Sequence, residues 1–364
     1  MRMAKRFLLL ILVPLLVVLA ACGDDSDEPE GAGGASSTTA AGSDTGEDTS
    51  DGEGSLVLYS GRDEELIQPI VDAFTEETGI EVDVRYGNSA EMAAQLLEEG
   101  TETPADVFYS QEVGAVGALA KAGLLSDLPE ETVAQADERF RPAEGTPWVG
   151  ITARSRVIVY NPDVLTELGI PVPTGVRELT DEKYKGHVAI VPSNAGFQAF
   201  VTGFRVQEGE EAARQWLEDM IANEADSTYE NNLDVLEAVD NGDIAMGLIN
   251  HYYWARHENR DSLTAQLVFP AGDDPGGLVN ATAAGITRTG ADNPAATALI
   301  DYLLSPTGQE TFVEETWEYP VVEGIADPEG IPPLAELEGP PLDLTDLDSL
   351  EETQALLTDL GLLG

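Results

Sequence analysis

Two adjacent tyrosines, Tyr252 and Tyr253, are the residues of this chain whose type and spacing point most directly to chemistry. In a regular strand neighbouring side chains point to opposite faces, so the two phenols converge on one ligand only if the chain has left the strand. A phenol has a pKa of about 10, and only a strongly Lewis-acidic cation makes two adjacent phenolates favourable at neutral pH. Fe³⁺ is such a cation, and tyrosinate is a ligand of haem iron. On spacing alone, one core ring beside one surface ring is the commoner arrangement.

The elements around this pair would place it where a strand ends. The sequence from Ile244 to Asn250 predicts a strand, and the residues that follow, up to Arg256, predict a helical turn. In a helical turn the two neighbouring rings point in similar directions. The turn also follows the carboxyl end of a strand, where α/β proteins bind their ligands. We therefore expect both phenols to face one site.

Strands alternate with helices along most of the chain. Strand Ser55 to Ser60 precedes helix Glu64 to Thr78, and a similar series follows the long extended segment Trp148 to Tyr160. Such alternation indicates βαβ units and a mostly parallel sheet. A second extended stretch, Gly277 to Thr287, leads back from the later series. We predict an α/β protein of two lobes with a cleft between them and a hinge of two crossover strands.

The predicted lobes divide the chain at these extended segments. The first lobe takes residues 55–150 with a return segment at about 285–322, and the second lobe takes residues 151–284 with the C-terminal segment at about 323–364. About 310 residues are enough to build two such lobes with sizeable cores.

Residues 1–54 are predicted to lie outside the folded part. Residues 1–21 read as a signal peptide, because the apolar run from Phe7 to Ala20 is too short to cross a bilayer and follows basic residues. The run closes on Leu-Ala-Ala-Cys22, which resembles the bacterial lipobox and implies lipid attachment at Cys22. Residues 22–54 are rich in Gly, Ser, Thr and acidic residues, and such a composition predicts a disordered acidic tether.

The formal net charge of −50 excludes several partners. Nucleic acids and anionic lipids are bound by basic patches, so we expect no nucleic acid partner and no membrane contact besides the lipid anchor. Strong self-repulsion also favours a monomer. Acidic surfaces additionally suit proteins in high salt, so we do not derive cation binding from the net charge.

Several segments together resemble the bacterial ferric-ion-binding periplasmic proteins, the solute-binding components of iron(III) ABC transporters. These segments are Leu58–Arg62, Ala73–Ile80, Pro104–Ser110, Arg154–Val157, Val191–Asn194 and Ile249–Trp254. The resemblance covers nearly all of residues 55–364. It implies a two-lobed periplasmic-binding-protein fold of type II that holds Fe³⁺ and a synergistic anion, such as carbonate or phosphate, in its cleft. It also implies delivery of the iron to an ABC permease and its ATPase.

The resemblance further implies which residues bind the metal. Tyr252 and Tyr253 match the tyrosinate ligands of the family, and Asp63 stands where the family has a histidine. A carboxylate there can still supply a hard oxygen ligand. The family's glutamate falls on Gln111, with Glu112 next to it. Whether Asp63, Gln111 or Glu112 completes the iron site is therefore open.

The anion site implied by the resemblance lies at the start of a predicted helix, whose N–H groups can hold a negative ligand. The matching residues are Asn194, Ala195, Gly196, Asn232 and Asn250. Arg62 and Arg154 either neutralise charge in the cleft or form ordinary surface ion pairs. His251 stands where the family usually has asparagine, and we predict that it is a cap or a surface residue.

Other functions remain as alternatives. The same fold binds other small solutes, such as a polyamine, an organic anion or a sugar. For a hydrolase the sequence lacks a Gly-x-Ser-x-Gly elbow and a His-Glu-x-x-His motif, and Cys22 is its only cysteine. We therefore expect a binding protein and not an enzyme.

Overall fold

The computed structural model describes residues 54–340 and 342–364, so the predicted signal peptide, Cys22 and residues 22–53 of the predicted tether lie outside the described residues. Strands and helices alternate in the first part as predicted. They are β1 (Ser55–Ser60), α1 (Glu64–Thr78), β2 (Glu81–Tyr86), α2 (Ser89–Glu99), β3 (Val107–Ser110) and α3 (Val113–Lys121). Helix α1 buries one apolar face that includes Leu66, Ile70 and Phe74. It ends at Gly79, whose φ of 72° is the left-handed conformation that glycine adopts without strain.

The middle of the chain contains a second series of strands and helices. Its elements are α4 (Glu130–Val133), β4 (Val149–Tyr160), α5 (Pro162–Leu168), β5 (Val188–Ala189), α6 (Ala195–Glu208), α7 (Glu210–Ala222), α8 (Asn232–Asn241), β6 (Met246–Asn250), α9 (His251–Ala255), β7 (Gln266–Val268) and β8 (Val279–Ile286). The last part contains α10 (Pro294–Leu304), α11 (Pro306–Thr316), β9 (Tyr319–Pro320) and α12 (Leu350–Asp359). Within the described ranges, no helix is both long and apolar enough to span a membrane.

All these strands join one sheet in the order β2-β1-β3-β8-β4-β6-β5, with β7 and β9 also paired to β4. The prediction of a mostly parallel sheet is wrong. Strand β1 is parallel to β2 and β3, but β8 is antiparallel to both β3 and β4. The sheet is mixed because β8 returns from the second series and enters beside β3 in the opposite direction.

Strand β4 connects the two halves of this sheet. Its residues Val149–Ser155 pair with β8, whereas Arg156–Tyr160 pair with β6. We call the half with β1, β2, β3 and β8 the first lobe and the half with β5, β6 and β7 the second lobe. The change of partner between Ser155 and Arg156 marks the crossover from one lobe to the other.

Each lobe has its own apolar core. The core of the first lobe is one large cluster, and the second lobe has two clusters. The boundaries that we predicted for the lobes stay a prediction, but the segment 323–364, assigned above to the second lobe, contacts both. Leu344 and Leu347 pack in the core of the first lobe, while Leu356 and Leu357 pack in that of the second.

Candidate metal and anion site

The tyrosine pair lies at the junction of β6 and α9. Because β6 ends at Asn250 and α9 begins at His251, both tyrosines lie on a helical turn, as predicted. Their ring centroids are 4.5 Å apart with 29° between the planes. Tyr252 is 0% exposed and Tyr253 6%, so the alternative of one core ring and one surface ring is wrong.

A buried ion pair from the first lobe faces Tyr252. The guanidinium carbon of Arg62 lies 4.9 Å from the centre of the Tyr252 ring, and its Nη2 lies 3.0 Å from Oε2 of Glu318. Burial works against the charge of Arg62, but Glu318 and the nearby phenols together raise its pKa above the usual value. The same carboxylate oxygen accepts hydrogen bonds from the hydroxyls of Thr152 and Thr316. Arg62 is thus not a surface ion pair.

The environment of Tyr253 keeps its phenol neutral when no metal is bound. Burial raises its pKa, and the phenol of Tyr252 and the carboxylate of Asp63 raise it further, against a smaller opposite effect of Arg62. A cation that binds this oxygen must therefore displace a proton. That requirement favours a strongly Lewis-acidic cation over a weak one.

Asp63, Gln111 and Glu112, the three candidates for the remaining metal ligand, differ in how accessible their side chains are. Asp63 is exposed, and its side chain does not bond to the helix that it precedes, while its charge acts on Tyr253. Glu112 caps α3, because its carboxylate accepts the N–H groups of Gly114 at 2.7 Å and Ala115 at 3.2 Å. Burial raises the pKa of Glu112 to about 7. Asp63 therefore has the most accessible carboxylate, whereas Gln111 offers only an amide.

Four of the residues matched to the anion site, Asn194, Ala195, Gly196 and Asn250, lie close together at the start of α6. The side chain of Asn194 caps this helix by accepting the N–H of Phe197 at 3.2 Å. A Cβ added at Gly196 would lie 2.7 Å from Nδ2 of Asn250, so a larger residue there would have to displace this amide. Ala195 is the first residue of α6. Asn232, at the start of α8, is completely buried.

Several buried donors have no hydrogen-bond partner within the described part of the chain, and those of Asn250 and Arg156 lie beside the start of α6. They are Nδ2 of Asn232, Nδ2 of Asn250, Nε2 of Gln111, Nε of Arg156 and both Nη atoms of Arg154. A buried donor without a partner is costly, so such groups are normally satisfied by protein, water or ligand. A site rich in donors suits a ligand rich in acceptor oxygens.

Arg156 is a member of this site that the sequence analysis missed. Its Nη1 donates to Oδ1 of Asn250 at 3.2 Å, and its Nη2 donates to the carbonyl of Leu248 at 2.8 Å. Burial lowers the pKa of Arg156 to about 9. The sequence contained a signal, because Arg154 and Arg156 stand two residues apart in a predicted extended segment, where such side chains share one face. In the structure both are almost completely buried. Arg154 is therefore no surface ion pair either.

The prediction that His251 is a cap or a surface residue is wrong. The ring is 0% exposed, and both of its nitrogens are bonded to main-chain groups. Burial lowers the pKa of His251 to about 4, so the ring is neutral at physiological pH. The prediction failed because β6 delivers this residue into the region where the two lobes meet.

Metal sites of a different kind are not found in the part of the chain that the structure describes. Residues 54–340 and 342–364 contain no group of three or more His, Cys, Asp or Glu side chains placed to hold a metal ion.

Known proteins resemble this chain in sequence and in architecture. Residues 69–339 match the family model described as bacterial extracellular solute-binding protein. The chain belongs to this family of bacterial extracellular solute-binding proteins. It is 33% identical to the Fe(3+)-binding periplasmic protein of Serratia marcescens, over 87% of this chain and 94% of that relative.

Solved structures agree with this assignment. Iron-bound HitA from Pseudomonas aeruginosa is 34% identical and covers 84% of this chain and 99% of its own, with a TM-score of 0.79. A Trichodesmium protein in complex with iron and citrate ligands is 25% identical, covers 85% of this chain and 100% of its own, and has a TM-score of 0.67. The resemblance drawn from the sequence motifs and the predicted type II periplasmic-binding-protein fold are confirmed.

Proposed function

We propose that this solute-binding protein binds Fe³⁺ together with a small synergistic anion outside the cytoplasmic membrane. The observation that carries the proposal is the stacked, buried tyrosine pair at the end of β6. Two phenolates and the carboxylate of Asp63 would supply three negative charges to one trivalent ion. Tyr252, Tyr253 and Asp63 are the proposed metal ligands, and the names of the relatives support the choice of metal.

The proposed anion site lies at the start of α6. The helix N-terminus at Ala195 and Gly196, with its N–H groups, favours a negative ligand. The unpaired Nδ2 groups of Asn250, at the end of β6, and Asn232, at the start of α8, would donate to the same ligand, and Asn194 holds the first turn of the helix. Carbonate or phosphate would satisfy these donors. Citrate is the anion named for one relative, and a carboxylate would use the same groups.

Closure of the lobes would enclose the metal. Contacts already cross between the lobes, since Arg256 of α9 pairs with Glu65 of α1 and Leu66 of α1 packs in a cluster of the second lobe. We propose that iron favours this closed arrangement, in which Asp63 approaches the tyrosines. A ligand shifts such an equilibrium by the difference between its affinities for the two states.

The remaining parts of the proposal concern location and partners. We propose a monomer without catalytic activity, anchored to the outer face of the membrane through a lipid on Cys22 and extended by the acidic tether. It would deliver iron to an ABC permease and its ATPase, the partners that the family implies. The predicted lobe division at about residues 150 and 285 stays a prediction, and we propose that the crossovers lie a few residues away, between Ser155 and Arg156 of β4 and before β8.

Titration of the purified chain with a ferric salt, in carbonate or phosphate buffer, tests this function. We expect a visible tyrosinate-to-iron charge-transfer band that saturates at one iron per chain and is absent from Tyr252→Phe. The alternative, another small solute in the same fold, predicts no such band and saturable binding of a polyamine, organic anion or sugar instead.

A further inference from the structure

We infer that His251 is a positioning residue that fixes the tyrosine pair relative to the first lobe. The inference rests on the proposed function and goes beyond it, because His251 touches neither the metal nor the anion in that proposal. It acts through the main chain of α9, the short helix that holds both tyrosines.

Both nitrogens of the His251 ring are engaged by other segments. Nδ1 accepts the N–H of Ser155 at 3.2 Å, and Nε2 lies 3.0 Å from the carbonyl oxygen of Trp317. Because an N–H only donates and a carbonyl only accepts, these partners select the neutral tautomer with its proton on Nε2. The orientation of the ring is thus set by two main-chain groups.

These two groups lie where the lobes are joined. Ser155 is the last residue of β4 that pairs with β8, directly before the crossover to the second lobe. Trp317 lies between α11 and β9, and β9 pairs with the first-lobe part of β4. His251 therefore connects the tyrosine helix of the second lobe to two main-chain segments of the hinge.

Helix α9 depends on tertiary contacts, among them that of the Trp254 indole N–H with the carbonyl of Ala265. It is only five residues long, and the side chain of Asn250 does not cap it. Isolated helices of this length are not stable in water, so tertiary contacts must define the direction of this one. The His251 ring provides such contacts, with centroid distances of 4.7 Å to Tyr319 and 5.9 Å to Tyr252.

A matched pair of substitutions separates the two hydrogen bonds. In His251→Asn the amide oxygen can take the place of Nδ1 and keep the bond to Ser155, but the shorter side chain does not reach the Trp317 carbonyl. In His251→Gln the longer amide can again donate to that carbonyl. His187→Asn serves as the control, because His187 lies on the second lobe before β5, outside the proposed site.

Each protein is loaded with Fe³⁺ in carbonate buffer, and iron transfer to an excess of a competing chelator is followed through the visible band. We expect His251→Asn to release iron about tenfold faster than the wild type, because the loss of one buried hydrogen bond has an effect of about this size. We also expect the visible band to shift. His251→Gln should recover most of this loss, and His187→Asn should match the wild type. Thermal unfolding of the iron-free proteins identifies a variant that is merely unstable.

Equal release rates and equal spectra for folded His251→Asn and the wild type would overturn the inference while leaving the proposed function intact. A wild type that takes up no iron and shows no band would overturn both together.

Discussion

Gln309 in the first lobe and Asn232 in the second are both completely buried amides, but the fold treats them differently. Nε2 of Gln309 donates to the carbonyls of Ile151 and Leu303, both at 2.8 Å, and its Oε1 accepts the N–H of Val321 at 2.9 Å. Neither amide atom of Asn232 has a partner among the described residues. Both side chains are 0% exposed.

This difference separates polar groups that hold the fold together from polar groups that are available to a ligand. A buried amide with all its bonds made stabilises the folded state, whereas one without partners destabilises it by the cost of its lost hydration. The first kind should therefore affect stability when it is changed, and the second kind should affect binding.

The largest effect is expected from the tyrosine pair itself. Tyr252→Phe and Tyr253→Phe each remove one anionic ligand, and we expect a loss of iron affinity greater than about a hundredfold, since changes around the ligands of a metal alone cost about 10- to 100-fold. The half-buried Tyr160, whose hydroxyl donates to Gln266, provides the control Tyr160→Phe. Iron affinity is measured by chelator competition. If all three variants bound iron as tightly as the wild type, the assignment of Tyr252 and Tyr253 as metal ligands would be contradicted.

Iron affinity should also depend steeply on pH. Burial and the neighbouring charges raise the pKa of Tyr253, so this phenol is protonated throughout the range from pH 5 to 7 in the iron-free protein. If both phenols lose their protons on binding, affinity rises with pH by about a hundredfold per unit, because two protons are released. Chelator competition at several pH values measures the slope. A flat profile would mean that the phenols do not bind the metal.

Replacement of Gln309 and of Asn232 by leucine should have opposite effects on stability and on binding. Gln309→Leu leaves two carbonyls and one N–H in the core without partners, and we expect it to lower the free energy of unfolding by about 2–4 kcal/mol. Asn232→Leu removes unpaired groups, so the iron-free protein should be equally stable or more stable. It should instead weaken anion-dependent iron retention about tenfold. Denaturant unfolding and iron release measure the two effects, and equal destabilisation by both variants would break the comparison.

The smallest effect is expected at the rim between the lobes. Arg256 and Glu65 form a partly exposed ion pair, and such pairs contribute about 0–1 kcal/mol. Arg256→Gln should therefore accelerate iron release less than about fivefold, and high salt should remove the difference between variant and wild type. A larger or salt-independent change would show that Arg256 acts on the site directly, since its guanidinium also lies 5.8 Å from the Tyr253 ring.

The sequence was sufficient for features that depend on local patterns. Helix α1, from Glu64 to Thr78, was predicted correctly, and so was the helical turn on which Tyr252 and Tyr253 lie. These features follow from helix periodicity and chain termination, which act over a few residues.

Features that depend on distant contacts were not predictable in the same way. Burial of His251 requires Trp317, and the mixed sheet requires β8 to enter beside β3. The shared packing of the C-terminal leucines likewise results from contacts with both lobes. No local pattern encodes which lobe an apolar segment will meet.

The position of the metal tests the account most directly. We predict that anomalous diffraction at the iron absorption edge, from crystals of the iron-loaded protein, shows one strong peak within bonding distance of the phenol oxygens of both Tyr252 and Tyr253. A single peak elsewhere in the molecule, or a fully loaded crystal whose peak contacts neither phenol, would contradict the claim that this pair binds the iron.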